Sequence, residues 1–157
     1  VRVVWALPVS PMGTRRKARE AALQFLFQDD FSVDGCEPVD SGFEERFDQF
    51  CGLYQISHKA RPYALSLLNG IRKNREGVDG VIRKCASNWR LERIAVTDRN
   101  LLRVGVYEML FGEDVPAQVA INEAVEIAKR FGSEDSPAFV NGVLDAVQKS
   151  RQGENAG

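Results

Sequence analysis

The chain has 157 residues, 44% of them hydrophobic, and a formal net charge of −1. That length fits one domain with a proper core, and the near-neutral total excludes a generic polyanion binder. Three widely spaced cysteines with no Cys-x-x-Cys pair, and a single histidine, argue against both a disulfide framework and a zinc site.

The charge is unevenly spread. Residues 1–19 carry five cations and no acid, whereas residues 20–50 carry nine acids and one cation. The opening VRVVWALPVSP has an apolar run too short for a signal-peptide core or a membrane span, which predicts a cytoplasmic protein. Residues 1–12 read as a flexible extension, 13–150 as one helical domain and 151–157, within SRQGENAG, as a disordered tail.

The first element is announced by TRRKAREAALQFLFQ. Ala18, Ala21, Ala22, Phe25 and Leu26 recur at helical spacing, with Thr14 as the expected N-cap. Arg15, Arg16, Lys17 and Arg19 would then stand in the first turns, where the macrodipole disfavours cations. A local rule broken without local compensation points to a function, here the binding of an anion.

A loop rich in Asp, Gly and Pro follows, holding Cys36. In SGFEERFDQFCGLY, Ser41 and Glu44 form a candidate capping box, and Phe43, Phe47, Phe50, Cys51 and Tyr54 line one face. His58 lies in the polar turn QISHKARP and reads as solvated. Pro62 suits a first helical turn, ahead of Ala64, Leu67, Leu68 and Ile71. Val78, Val81, Ile82, Cys85 and Trp89 give another stripe; Cys51 and Cys85 read as buried hydrophobes.

From Thr97, the run TDRNLLRVGVYEMLFG is apolar on nearly two faces, the profile of a central helix. Ile121, Ala124, Val125, Ala128 and Phe131 mark the next helix, closed by Lys129, Arg130 and Gly132. Ser136 and Pro137 begin the last, with Val140, Val143, Leu144 and Val147 facing inward. The total is an all-α bundle of about seven helices.

No catalytic constellation is legible. There is no glycine-rich loop after a strand, no Gly-x-Ser-x-Gly and no metal-ligand spacing, so neither enzyme nor cofactor nor metal is expected. Glu123 and Glu126 stand three apart in INEAVEIAKRFG and read as a solvated face with ion pairs to the following cations. The basic run RRKAR by itself is a weak nucleic-acid signal.

Two stretches carry a resemblance. RRKAREAALQFLFQ resembles the start of the NusB transcription antitermination family, and DRNLLRVGVYEMLFGEDVPAQVAINEAVEIAKRFGSEDSPAFVNGVLDAV resembles its C-terminal half. The resemblance implies an all-helical fold of two small subdomains without catalysis. It also implies binding of the single-stranded boxA element of ribosomal RNA leader transcripts with the ribosomal protein NusE, within an RNA polymerase antitermination complex containing other Nus factors. An arginine-rich helix start would supply phosphate ligands there.

By position, the resemblance implies RNA contacts at Arg15, Arg16, Lys17 and Arg19, with Phe27 where relatives carry Tyr, and at Asp135 and Phe139 of SEDSPAF. Asp98 matches an acidic position facing NusE, on a surface expected to be separate from the RNA surface. Two alternatives remain: a protein-interaction module, for example a homodimer burying the arginine helix, and a fragment of a ribosomal RNA cytosine methyltransferase carrying such a domain.

Overall fold

Helical spacing of apolar residues governs every long element. A computed structural model describes residues 11–30 and 42–156, and the seven α-helices among them run α1 Pro11–Asp30, α2 Phe43–Leu53, α3 Arg61–Lys73, α4 Arg75–Cys85, α5 Val96–Phe111, α6 Ala117–Phe131 and α7 Ser136–Ala156. A short 3-10 turn, Leu91–Arg93, precedes α5. Cys36, the Ser41 half of the expected capping box and residues 1–10 of the expected extension lie outside the described residues.

The helices bury two cores, as two subdomains require. In the first, Ala18, Ala21, Ala22 and Phe25 of α1 pack on Phe43, Phe47 and Phe50 of α2 and on Ala64, Leu67, Leu68 and Ile71 of α3. Phe25 is its hub, meeting those three rings edge-on at 5.5, 5.6 and 5.4 Å. Edge-to-face contacts add about 0.5–1.5 kcal/mol per pair to the burial itself. The second core joins α4, α5, α6 and α7 around Leu101, Leu102, Val106, Ile121, Ile127, Val140 and Leu144. Helix α5 belongs to both, since its Val104 faces the first core.

Several boundaries differ from the sequence reading, each for a physical reason. Helix α1 begins at Pro11, so Thr14 is an interior residue and the basic run falls beyond the first turn. Helix α2 starts after Gly42, whose φ of 91° takes the place of a side-chain cap. Helix α4 stops at Cys85, leaving Trp89 outside it and exposed. Gly132 ends α6 in extended backbone; its need is spatial, because a Cβ there would come within 2.5 Å of the Ser136 side chain. Helix α7 continues through the stretch expected to be disordered, and Arg151 hydrogen-bonds the Met109 carbonyl. Asp145 with Lys149 adds an i, i+4 ion pair before that extension.

The central helix holds a further surprise. Asp98, Asn100, Arg103 and Glu108 of α5 are all buried, although its stripe reads as almost wholly apolar. Arg103 Nε donates to Asp79 Oδ1 at 2.8 Å and Nη1 donates to Asn100 Oδ1 at 2.8 Å. Asn100 Nδ2 in turn donates to Asp30 Oδ2 at 2.8 Å, so one polar chain ties the end of α1 to α4 and α5. Arg75 adds a bond to Asp79, and burial, then the nearby Arg103 charge, lower the pKa of its guanidinium.

Candidate nucleic-acid interface

The basic run of α1 does not stand free. Arg19 is 2% exposed, and its Nε donates to both oxygens of Glu108, at 2.8 and 3.0 Å, while Nη1 donates to Glu123 at 3.3 Å. Arg16 grips the same Glu123 through Nε at 3.1 Å and through Nη2. Tyr63 of α3 donates its hydroxyl to Glu108. Two buried carboxylates and two guanidiniums thus neutralise one another where α1, α3, α5 and α6 meet.

This corrects two expectations. Arg19, expected on the RNA surface, has its charge committed inside the fold. Glu123, expected on a solvated face, is 3% exposed; only Glu126 is on that face, paired with Lys129 at 2.9 Å. The reason is tertiary: the cations of α1 find their acids on helices about 90 and 107 residues further along the chain.

The protonation equilibria follow the geometry. Burial lowers the pKa of Arg19, but its hydrogen bond and charge contact with Glu108 outweigh that and hold it above the ordinary value. The hydrogen bond to Glu123 likewise raises Arg16. Burial, then the bond to Glu108, pushes the Tyr63 phenol up. Burial also raises the thiols of Cys51 and Cys85, in keeping with their reading as buried hydrophobes; Cys51 is fully enclosed and Cys85 partly so.

Arg15, half-buried, and Lys17, exposed, are the members of the run with no carboxylate partner among the described residues, whereas Arg16 is exposed but paired. Arg15 lies over the Tyr63 ring at 4.9 Å, a cation–π contact that orients its fork.

Phe27 is twelve residues beyond Arg15, about 18 Å along the helix axis, so it is not part of the cluster. It is exposed on the rim of an apolar groove of about 750 Å³ shared with Phe50, Tyr54, Thr97 and Phe131. Asp98, the neighbour of Thr97, opens on a different recess of about 360 Å³ lined by Trp89, Arg93, Asp135 and Phe139. Phe139 meets Trp89 edge-on at 6.2 Å and packs its other side on the second core. The surface expected for NusE and the far half of the surface expected for RNA therefore meet in one recess.

Asp98 is the chemically incomplete member of that recess. It is 8% exposed, and its Oδ1 has no hydrogen-bond partner among the described residues. Trp89 is the residue that sequence reasoning missed, having placed it on the apolar stripe of α4; the signal was the Ala86–Ser87–Asn88 interruption ahead of it.

Comparison with known proteins gives this geometry a family. The model of the NusB family matches residues 16–149. The chain belongs to the NusB family. It is 57% identical to the transcription antitermination protein NusB of Desulfotalea psychrophila over 137 residues, which cover 87% of this chain and 96% of that protein. The NusB of Desulfosudis oleivorans is 39% identical, with 92% of each chain covered.

Among solved structures, the NusB of T. maritima superposes with a TM-score of 0.70 at 38% identity, covering 86% of this chain and 90% of that one. A complex of the antitermination factors NusB and NusE with double-stranded RNA superposes with a TM-score of 0.73 at 28% identity, covering 87% and 97%. NusB-family membership places the chain among antitermination proteins rather than enzymes. No helix among the described residues is long and apolar enough to cross a membrane.

Proposed function

We propose that this chain binds the boxA element of nascent ribosomal RNA leader transcripts together with NusE, and that the assembly, with other Nus factors, promotes read-through by RNA polymerase in the cytoplasm. The observation that carries the reading is an ordered path along α1 and α6. Arg15 and Lys17 open it, Arg16 is tied to Glu123, Glu20 is tied to Arg130, Phe27 and Phe131 share a groove with Thr97, and the next residue, Asp98, lines the recess of Trp89, Asp135 and Phe139. Cations at one end and π-faces at the other are what a single strand requires: phosphates pair with the first and bases stack on the second.

In this reading Arg15 and Lys17 contact phosphates, Arg19 braces the helix that carries them, and Phe139 with Trp89 offers the stacking face. Phe27, exposed in its groove, offers a further stacking face on the path, and the carboxylate of Asp98 is assigned to NusE. Asp135, exposed at the recess, limits affinity by repelling the backbone.

Fluorescence anisotropy with boxA RNA, scrambled RNA and an RNA duplex, each with and without NusE, tests the reading. BoxA RNA should bind tightest, and NusE should strengthen it. The duplex arm matters because the related NusB–NusE complex holds double-stranded RNA. Arg15→Ala with Lys17→Ala should flatten the plot of log K against log salt by roughly 1.4, at about 0.7 per single-strand phosphate. Equal affinity for boxA and scrambled RNA in the presence of NusE would overturn the assignment.

A further inference from the structure

The arginine-rich turn carries four formal cations, yet its folded surroundings contain two carboxylates that nothing above assigns to RNA binding. Glu108 is enclosed by Arg19 and Tyr63, deep between α1, α3 and α5. Glu123 is different, because one of its two guanidinium partners is at the surface: the side chain of Arg16 is 44% exposed whereas that of Glu123 is 4% exposed. The Nε and Nη2 edge of Arg16, one of the two forked edges by which a guanidinium grips a phosphate, is already occupied by Glu123, and the charge of the group is neutralised by it.

We propose that Glu123 is a charge-setting residue of the RNA interface: it withholds Arg16 from phosphate, so that the turn offers two cations to RNA where its sequence shows four. The inference rests on the RNA-binding reading above and specifies the turn's effective charge.

Three features of the site support withholding rather than sharing. The carboxylate is also held from the interior by Arg19 Nη1, which reaches Oε1 at 3.3 Å, and this ties it against following Arg16 outward. Its burial keeps the Arg16 contact out of reach of much of the salt screening that would loosen an exposed pair. Arg16 also feels Glu126 and Glu20, which add to the negative field that a phosphate would have to enter. Arg15 makes no ion pair among the described residues and rests on the ring of Tyr63.

The test is a salt titration of RNA affinity for the wild-type protein, Glu123→Gln and Glu44→Gln, using a single-stranded boxA RNA and an oligouridylate of equal length. Glutamine keeps the shape of the side chain and one acceptor oxygen but removes the charge that holds Arg16. Glu44 is an exposed acid on α2 and controls for a general change in net charge.

Glu123→Gln should bind both RNAs more tightly at low salt and steepen the slope by about 0.7, so that its advantage shrinks about fivefold for each tenfold rise in salt. Glu44→Gln should keep the wild-type slope. An unchanged slope in Glu123→Gln, weaker binding by it, or an equal steepening in Glu44→Gln overturns the inference while leaving the RNA-binding reading in place. Failure of the wild-type protein to bind either RNA, with NusE present, removes that reading first and this inference with it.

A measurement on the wild-type protein keeps the proposal open to refutation even where Glu123→Gln does not fold. The arginine Nε–H signals in nitrogen–proton NMR spectra should show Arg16 unmoved through an RNA titration while Arg15 shifts. A displaced Arg16 signal at saturation would mean that phosphate takes the guanidinium, and that Glu123 does not withhold it.

Discussion

The two ends of α5 solve the burial of a carboxylate in opposite ways. Near its C-terminal end, Glu108 is met by both the Arg19 guanidinium and the Tyr63 hydroxyl, and the neighbouring Glu123 has its own counter-ion in Arg16. At its first turn, Asp98 is nearly as deep but keeps an oxygen with no partner among the described residues, beside a recess with two aromatic walls. A buried polar group left unpaired costs about 1–3 kcal/mol, so a fold that completes one such site and leaves the other open spends its stability at the first and keeps the second for something that docks. In the proposed reading the closed end is structure and the open end is interface.

The largest expected effect breaks the closed end. Arg19→Met leaves the buried Glu108 without its counter-ion and takes the longer of two guanidinium contacts from Glu123, and losing one partner of a buried ion pair costs about 3–5 kcal/mol. For a chain of this size that is a fall of roughly 6–20 °C in melting temperature by circular dichroism. A fall of under 2 °C would show that the network is not closed in solution.

At the open end, Phe139→Ala should weaken boxA binding by about 1–3 kcal/mol, the usual loss per stacked base. Because the ring also packs on the second core, a small fall in melting temperature accompanies the loss; a fall as large as that of Arg19→Met, with normal binding by the folded fraction, would assign Phe139 to the core alone.

Tyr63→Phe sharpens the contrast through pH. Losing the hydrogen bond that the half-buried phenol gives to a buried carboxylate should cost about 1.5–3 kcal/mol near neutrality. The phenol has its pKa raised from the ordinary value of 10.0, by burial first and by Glu108 second, so the folded chain keeps its proton where the unfolded chain loses it. Its contribution is whole below pH 10 and is lost as pH rises beyond that value. Denaturant titrations at pH 8 and above pH 10 should therefore show the gap between wild type and mutant narrowing at the higher pH; a constant gap would detach the phenol from Glu108.

Asp98→Asn is the smallest perturbation. With an oxygen already unpartnered, removing its charge should change stability by less than about 1 kcal/mol, while NusE association measured by calorimetry should weaken. A loss of stability comparable to that of Arg19→Met would close the open end and cancel the comparison.

Much of this molecule is readable from one dimension. Apolar spacing alone marks seven helices, and it identifies the apolar inward faces of α3 and α7 residue by residue and most of those of α2 and α6, because a helix that must bury a stripe against neighbours has to write that stripe at a period of 3.6. Pro62 in a first turn and the cations closing α6 follow from the unpaired backbone groups of helix ends, which are local and hence visible. The family resemblance rests on runs such as DVPAQVAINEAVEIAKRFG, which α6 and its flanks preserve as one contiguous segment.

What the sequence could not determine is which charges are spent inside the fold. Arg15, Arg16, Lys17 and Arg19 look alike in a string of letters, and the helix-dipole argument treated them as one exposed group. Packing separates them: Arg19 turns toward Glu108, Arg16 leans on Glu123, Arg15 rests on the Tyr63 ring and Lys17 faces solvent. In the same way Asp98, Asp135 and Phe139 acquire a common recess only because α5 and α7 meet beside Trp89. Periodicity is written along the chain, whereas the pairing of an ion depends on which distant helix arrives next to it, and only the tertiary structure decides that.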